Sequence, residues 1–323
     1  MTRILLTDAE GLVGLYTLNE LLIGLGDTNN STILAGYHSN TTLQKAITSN
    51  EHKDLVQPVL IDWKDPATFV SPLIEVDCIL LLTPFTSAKV ANVGEWIGAV
   101  AEAKQATKDP TVYHPHVVHV GVHCDTTDSR YRVPHESWQL EAEKTLEQAT
   151  PHVFSSWTHL RINFDGYNGI IKPGEVSYFL PTEERFGWIA REDIAAVAAA
   201  VLLKPCEHRK QAYSLAVESL SLSDMAVIAS GVCNSKIRAR CLTSDDFAKL
   251  ALSSNANPGG DQGYVDYVKS VQLLFEGLAD GKYLSHTAIF PSLFRSICGR
   301  DFTSFAQWLL GSPYKAKLSS VAM

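Results

Sequence analysis

The sequence predicts an α/β protein, with a doubly wound parallel sheet and a smaller C-terminal α/β lobe. Two observations carry this. Short, nearly continuous apolar runs alternate with helical patterns as far as Val122, and a glycine-bearing turn joins the first run to the first helix. The strand candidates are residues 3–7, 32–36, 56–62, 77–83 and 117–122. Runs of this kind suit strands buried on both faces of a parallel sheet. Helical patterns lie between them at 12–25, 41–49, 66–73 and 88–106. Such alternation makes βαβ units, and right-handed crossovers then restrict the topology.

A sixth unit pairs an amphipathic helix at 135–149 with a strand at 153–161. Residues 193–203 form a strong helix, with Arg191-Glu192-Asp193 at its start, where acidic residues favour the helix dipole. Beyond about residue 160 the alternation weakens. Short strands at 213–217 and 236–240 mix with helices at 223–230, 244–252, 264–278 and 304–310. This is the pattern of a small lobe closing over a site. The Gly, Pro and Asn content of 255–263 marks a loop.

With 323 residues and 46% hydrophobic content, the chain has enough material for a large core and a second region. The net charge is −8 and there is no basic tract, which excludes binding nucleic acid by neutralising phosphates. Cys78, Cys124, Cys206, Cys233, Cys241 and Cys298 are scattered without a CxxC pair. That argues against a zinc site and a disulfide framework, and fits reduced thiols in a cytoplasmic protein. No secretory signal pattern is evident, and the longest apolar stretch, 195–203, is about half a bilayer span. The expected partner is a small-molecule substrate, with no nucleic acid and no membrane. The oligomeric state is open.

The first turn reads Thr7-Asp8-Ala9-Glu10-Gly11-Leu12-Val13-Gly14. A Rossmann dinucleotide loop uses glycines for a tight turn, for close approach to pyrophosphate and for helix–strand packing. Gly11 and Gly14 take the second and third roles, and Asp8 stands in the first. Residues 1–160 are therefore expected to form a NAD(P)-binding Rossmann domain, with 187–215 contributing, and 161–323 the substrate-binding lobe. Cofactor contacts are expected from Thr7, Ala9, Gly11, Leu12, Val13 and Gly14. The second strand ends in His38-Ser39-Asn40, without the acidic residue that grips the ribose of NAD, so NADP(H) is the expected cofactor. Asp62 and Trp63 close the third strand, Thr83 and Pro84 the fourth, at the edge where such sheets bind ligands. Asp8 opposes cofactor binding, because its carboxylate would stand beside the phosphates.

Several segments together resemble a known family. They are Thr7-x-x-x-Gly11-x-x-Gly14, Asp62, Leu81-Leu82-Thr83-Pro84, Leu160-Arg161-x-Asn163-Phe164 and Trp188-Ile189-Ala190-Arg191-Glu192-Asp193-Ile194-Ala195. They are similar to the NmrA-like family of atypical short-chain dehydrogenases/reductases over roughly residues 3–205, with a weaker echo at 297–305. The resemblance implies a Rossmann domain, usually NADP(H), and a C-terminal lobe that builds the substrate pocket. Its members include fungal secondary-metabolism reductases, quinone and phenolic-ether reductases, and non-catalytic redox sensors. The chain departs from the reductase pattern at Asp8, at Gly121-Val122-His123 in place of a serine, and in lacking the Tyr-x-x-x-Lys pair. Tyr131 and His135 have that spacing, but Pro134 intervenes, and Gln139 stands about where lysine is carried.

Reduction of a carbonyl or imine needs a proton donor with a pKa near ambient pH, which favours histidine. The candidate catalytic residues are His123, Asp125, Tyr131 and His135 after the fifth strand, and His159 on the sixth. In a strand, Trp157, His159 and Arg161 share one face. With Asn163, Phe164 and Tyr167 they suit an aromatic, polar substrate. The competing expectation is that this face packs on a helix, with Arg161 paired to Asp193 or Glu192. His114, His116 and His119 are read as structural, and no metal is expected. The leading reading is an NADP(H)-dependent oxidoreductase acting on a small aromatic, alkaloid or polyketide metabolite in biosynthesis. A redox-neutral cyclase, isomerase or pericyclase is the alternative, and a non-catalytic dinucleotide sensor the third.

Overall fold

The computed structural model describes residues 2–26, 31–49, 54–84, 86–107, 113–123, 133–162, 171–178, 181–253, 262–279 and 289–319. Strands β1 (Thr2–Leu6), β2 (Ser31–Tyr37), β3 (Val56–Leu60), β4 (Cys78–Leu81), β5 (His116–Val122) and β6 (Ser156–Ile162) belong to one sheet. Three short strands follow, β7 (Ile171–Lys172), β8 (Glu175–Tyr178) and β9 (Phe186–Trp188); β10 (Gln211–Leu215) then returns to the sheet beside β6. The order is β10-β6-β5-β4-β1-β2-β3, and every pairing is parallel. The chain runs outward from β1 to β3 and crosses back to β4. The strand order therefore reverses at β1, where open α/β sheets form a crevice.

Helices α1 (Leu12–Leu25), α2 (Asn40–Ser49), α3 (Ala67–Leu73), α4 (Lys89–Ala106), α5 (Pro134–Gln148) and α6 (Arg191–Leu203) make the crossovers. Side chains alternate across each strand, so β1 feeds two cores. Ile4 and Leu6 join α1 and α6 on one face, while Leu5 joins Phe69, Trp96 and Leu146 of α3, α4 and α5 on the other. Each such fully buried aliphatic or aromatic side chain contributes about 1.5–3 kcal/mol. Pro134 opens α5, where its missing N–H costs nothing, and Glu136 accepts the Val133 N–H at 3.3 Å.

The remaining elements are β11 (Glu218–Leu220), α7 (Leu222–Cys233), β12 (Arg238–Cys241), α8 (Ser244–Ser253), α9 (Gln262–Ala279), α10 (Pro291–Cys298), α11 (Phe305–Gly311) and α12 (Tyr314–Ser319). They build small sheets of order β12-β8-β7 and β11-β9. A separate core holds them together, with Trp188 edge-on to Phe305 and packed with Met225 and Leu309. Ser221 and Asp224 cap α7 reciprocally. Helix α10 instead sends Phe294 into the core of the main sheet. No helix among the described residues is long and apolar enough to cross a membrane.

Candidate functional site

The crevice edge is built from the ends of β1, β2 and β4. Thr7, just past β1, is fully buried. Its Oγ1 accepts the Leu82 N–H at 2.9 Å and faces the carbonyls of Leu82 and Leu80 at 3.1 and 3.2 Å. The hydroxyl thus ties β1 to β4 at the reversal point. Ala9 is buried and donates its N–H to the Gly36 carbonyl at 2.8 Å. Gly14 packs so closely that a Cβ there would run into the Asp8 carbonyl oxygen. A Cβ on Gly11 would collide with the Asp8 carboxylate. Both glycines let α1 begin against the turn. Leu12 and Val13 start the helix, and Leu12 is exposed.

Asp8 occupies this loop itself. Its Oδ1 accepts the Gly11 N–H at 2.8 Å and lies 3.1 Å from His38 Nε2. A carboxylate here satisfies a helix-terminal N–H and complements the dipole. His38 is more enclosed than an exposed phosphate clamp: its Nδ1 lies 2.9 Å from the Ile61 carbonyl, and its N–H donates to Glu10 Oε1 at 2.9 Å. With acceptors at both ring nitrogens, the imidazolium is favoured. Burial pulls its pKa down, but Asp8, the Ile61 carbonyl and Glu10 outweigh it and raise the pKa overall.

Asp62 and Trp63 turn toward their own loop. Asp62 Oδ1 accepts the Lys64 N–H at 2.9 Å, and Trp63 lies edge-on to Phe69 at 5.1 Å. Thr83, two residues past β4, has a buried hydroxyl with no hydrogen-bond partner among the described residues. Pro84 follows it, half-buried.

The candidates on β5 and β6 divide. His123 Nδ1 lies 2.9 Å from Ser214 Oγ on β10, near the crevice edge of the sheet. His135 meets the lobe instead: its Nδ1 is 2.8 Å from Ser270 Oγ on α9, and its ring lies against Tyr267. Trp157, His159 and Arg161 do share a face, and α5 covers it. Trp157 stacks on His159 at 4.4 Å, and His159 is completely buried. Burial and Arg161 lower the His159 pKa to about 3. Arg161 pairs with Glu143 through Nε and Nη2, at 2.6 Å for the shortest contact. The pairing of Arg161 with Asp193 or Glu192 is thereby corrected, because α5 lies over this strand face. Asp193 instead accepts from Arg300 and Thr303. Asp125, Tyr131, Asn163, Phe164 and Tyr167 lie outside the described residues.

Three buried polar groups are Lys89 on α4 and Gln139 and Glu143 on α5, and of these only Gln139 stands out in the sequence, at about the position of the family's lysine. Lys89 at the start of α4 is 1% exposed, and burial lowers its pKa to about 7 against the opposing pull of Glu143. Gln139 is buried against Gly121, where an added Cβ would stand 2.9 Å from its Oε1. Glu143 lies one helical turn beyond Gln139, on the same inner face of α5 as Ala142 and Leu146. A carboxylate at that helical spacing was the available clue.

No protein-family model and no curated protein sequence matches the chain. Solved structures do. NmrA, a negative transcriptional regulator, in complex with NADP aligns over 98% of this chain and 96% of its own, at 12% identity and a TM-score of 0.71. The fold is that of NmrA. The NmrA-like scaffold is shared by Citrobacter sp. triphenylmethane reductase complexed with NADP(H), at 15% identity and a TM-score of 0.69 over 94% of this chain and 98% of that one. An NADPH-dependent quinone oxidoreductase from Escherichia coli, complexed with NADPH, has 20% identity and a TM-score of 0.68 over 95% and 98%. At these identities the likeness is one of fold.

Proposed function

We propose that this NmrA-like chain binds NADP(H) and reduces a small organic molecule. The observation that carries the reading is the β1–α1 turn at the strand-order reversal, where Gly11 and Gly14 leave no room for side chains. Solved structures with this fold hold NADP(H), which supports the same reading. The residues fit the cofactor in two further respects. Thr83, just past β4, offers a buried hydroxyl with no hydrogen-bond partner among the described residues, and His38, whose pKa is raised overall despite burial, stands just past β2. Backbone groups of residues 9–14 would face its phosphates, with Thr83 and Pro84 bordering its far end. When bound, NADPH supplies hydride. The chain supplies orientation, water exclusion by the C-terminal lobe, and a proton from His123, the described candidate nearest the crevice edge. An aromatic, alkaloid or polyketide metabolite in biosynthesis is the proposed substrate class, and the cytoplasm the proposed compartment.

Asp8 favours a second reading, redox-neutral cyclisation or isomerisation on the same scaffold. Its carboxylate already takes the Gly11 N–H that a phosphate would seek. Fluorescence titration with NADPH and NADP⁺ separates the two. Saturable NADPH binding, followed by NADPH consumption with quinone or imine substrates, supports the reductase. No binding at millimolar cofactor rejects it, and turnover without NADPH consumption selects the redox-neutral enzyme.

A further inference from the structure

Away from the crevice, β5, β6 and α5 enclose a cluster of potential metal ligands. His119 and His159 are directly paired across β5 and β6, and both are completely buried. Neither ring nitrogen of His119 has a hydrogen-bond partner among the described residues, nor has either of His159. Buried imidazoles normally find partners, and each exception calls for one. Helix α5 aims Glu143 and, one turn on, Glu147 at this pair. One ligand atom from each of His119, Glu143 and His159 lies within 4.8 Å of the others. His159 Nε2 stands 3.4 Å from Glu147 Oε1 without a hydrogen bond between them.

We propose that His119, His159, Glu143 and Glu147 bind one divalent first-row transition ion, with Zn²⁺ the best match. Imidazole and carboxylate together suit zinc, and four-coordinate closed sites are its structural form. Bonds of about 2.1 Å place tetrahedral ligand atoms roughly 3.4 Å apart. His159 and Glu147 already stand at that spacing, and the atoms of His119, Glu143 and His159, within 4.8 Å of one another, need close by at most about 1.4 Å. Two carboxylates cancel the ion's charge. The opposing cations are Arg161 and Lys89. Arg161 is 28% exposed and grips Glu143, as an outer group orients a ligating carboxylate. Glu147 is 43% exposed and marks the entry path. The site is independent of the dinucleotide reading, and it would pin two strands to the helix that covers them.

The test uses the full chain, stripped with chelator, incubated with Zn²⁺ or Co²⁺, desalted and analysed for metal by mass spectrometry. The expected result is one ion per chain, with Co²⁺ giving the visible bands of a tetrahedral centre. His119→Ala and His159→Ala each weaken binding by more than the roughly tenfold to hundredfold that loss of a group orienting a ligand costs. Lys89→Met, which removes an opposing cation, tightens it. Folding of each variant is checked by circular dichroism, and Glu143→Gln serves as a conservative replacement where an alanine variant does not fold. Failure of the folded wild-type chain to retain metal overturns the proposal whatever the variants do. So does undiminished binding in a folded histidine variant, which places the ion elsewhere.

Discussion

Asp8 and His38 join the ends of β1 and β2 through an ion pair, with Oδ1 3.1 Å from Nε2. The same carboxylate oxygen holds the Gly11 N–H. A phosphate arriving at α1 must therefore displace an anion that the loop already carries. Replacing Asp8 by Gly removes the competitor and restores a turn-forming residue. NADPH affinity is expected to rise about tenfold, the equivalent of roughly 1.4 kcal/mol of relieved repulsion at intermediate dielectric. The lost hydrogen bond to the Gly11 N–H costs about 1 kcal/mol of stability. Isothermal titration reads the first effect and denaturant unfolding the second. Unchanged or weaker binding in Asp8→Gly shows that the carboxylate is not the obstacle.

His38 makes that obstacle pH-dependent. Its pKa is raised in the folded chain, so the pair's stabilisation is complete below about 6.5 and lost as pH rises through the folded value. Above that point the Asp8 carboxylate loses the His38 counter-ion. NADPH binding should weaken severalfold as pH moves from mildly acidic to mildly alkaline. In His38→Gln the same titration should be flatter and start from the weaker value. A parallel slope in wild type and variant assigns the dependence to another group.

The parallel sheet was legible because its strands are buried on both faces. Ile4-Leu5-Leu6 and Cys78-Ile79-Leu80-Leu81 need no alternation, since each side has its own helices. The lobe's short strands were not legible in the same way. Two-residue β7 and three-residue β9 and β11 are too brief for a period, and their pairings are tertiary. Period-two reasoning put Trp157, His159 and Arg161 on one face, as they are. It had no means of telling whether that face meets substrate or α5. The decisive fact is Glu143, eighteen residues away in the chain and bonded to Arg161. Asp8 was visible as a foreign residue in the loop, but its partner His38 depends on β1 lying beside β2.

The Arg161–Glu143 pair should be strongly asymmetric to mutation. The Glu143 side chain is 4% exposed, while Arg161 reaches solvent. Arg161→Met leaves a buried carboxylate uncompensated and is expected to cost roughly 2–4 kcal/mol, discounted from the fully buried case for the exposure of Arg161. Adding Glu143→Met should recover most of the loss, because two apolar groups then replace two charges. Urea unfolding of the double-mutant cycle checks this. Additive losses in the double variant mean that the pair is not the source of the effect.

His116 offers a separate acid test on the opposite face of the sheet. Its Nε2 lies 3.0 Å from Thr158 Oγ1, which donates in turn to the His208 carbonyl at 2.7 Å. Thr158 has spent its proton, so His116 donates from Nε2. Burial, with Arg209 and His208 nearby, lowers its pKa to about 4. The unfolded chain takes up this proton near pH 6.5, whereas the folded chain resists it. Acidification therefore favours unfolding, and stability falls as pH drops from about 6.5 toward 4, by at most roughly 3 kcal/mol from this residue. Gln can replace the donor without titrating. In His116→Gln, the loss of stability over that window should shrink relative to wild type, while stability at neutral pH changes little. An identical acid profile in the two proteins would show that His116 does not hold off its proton in the fold.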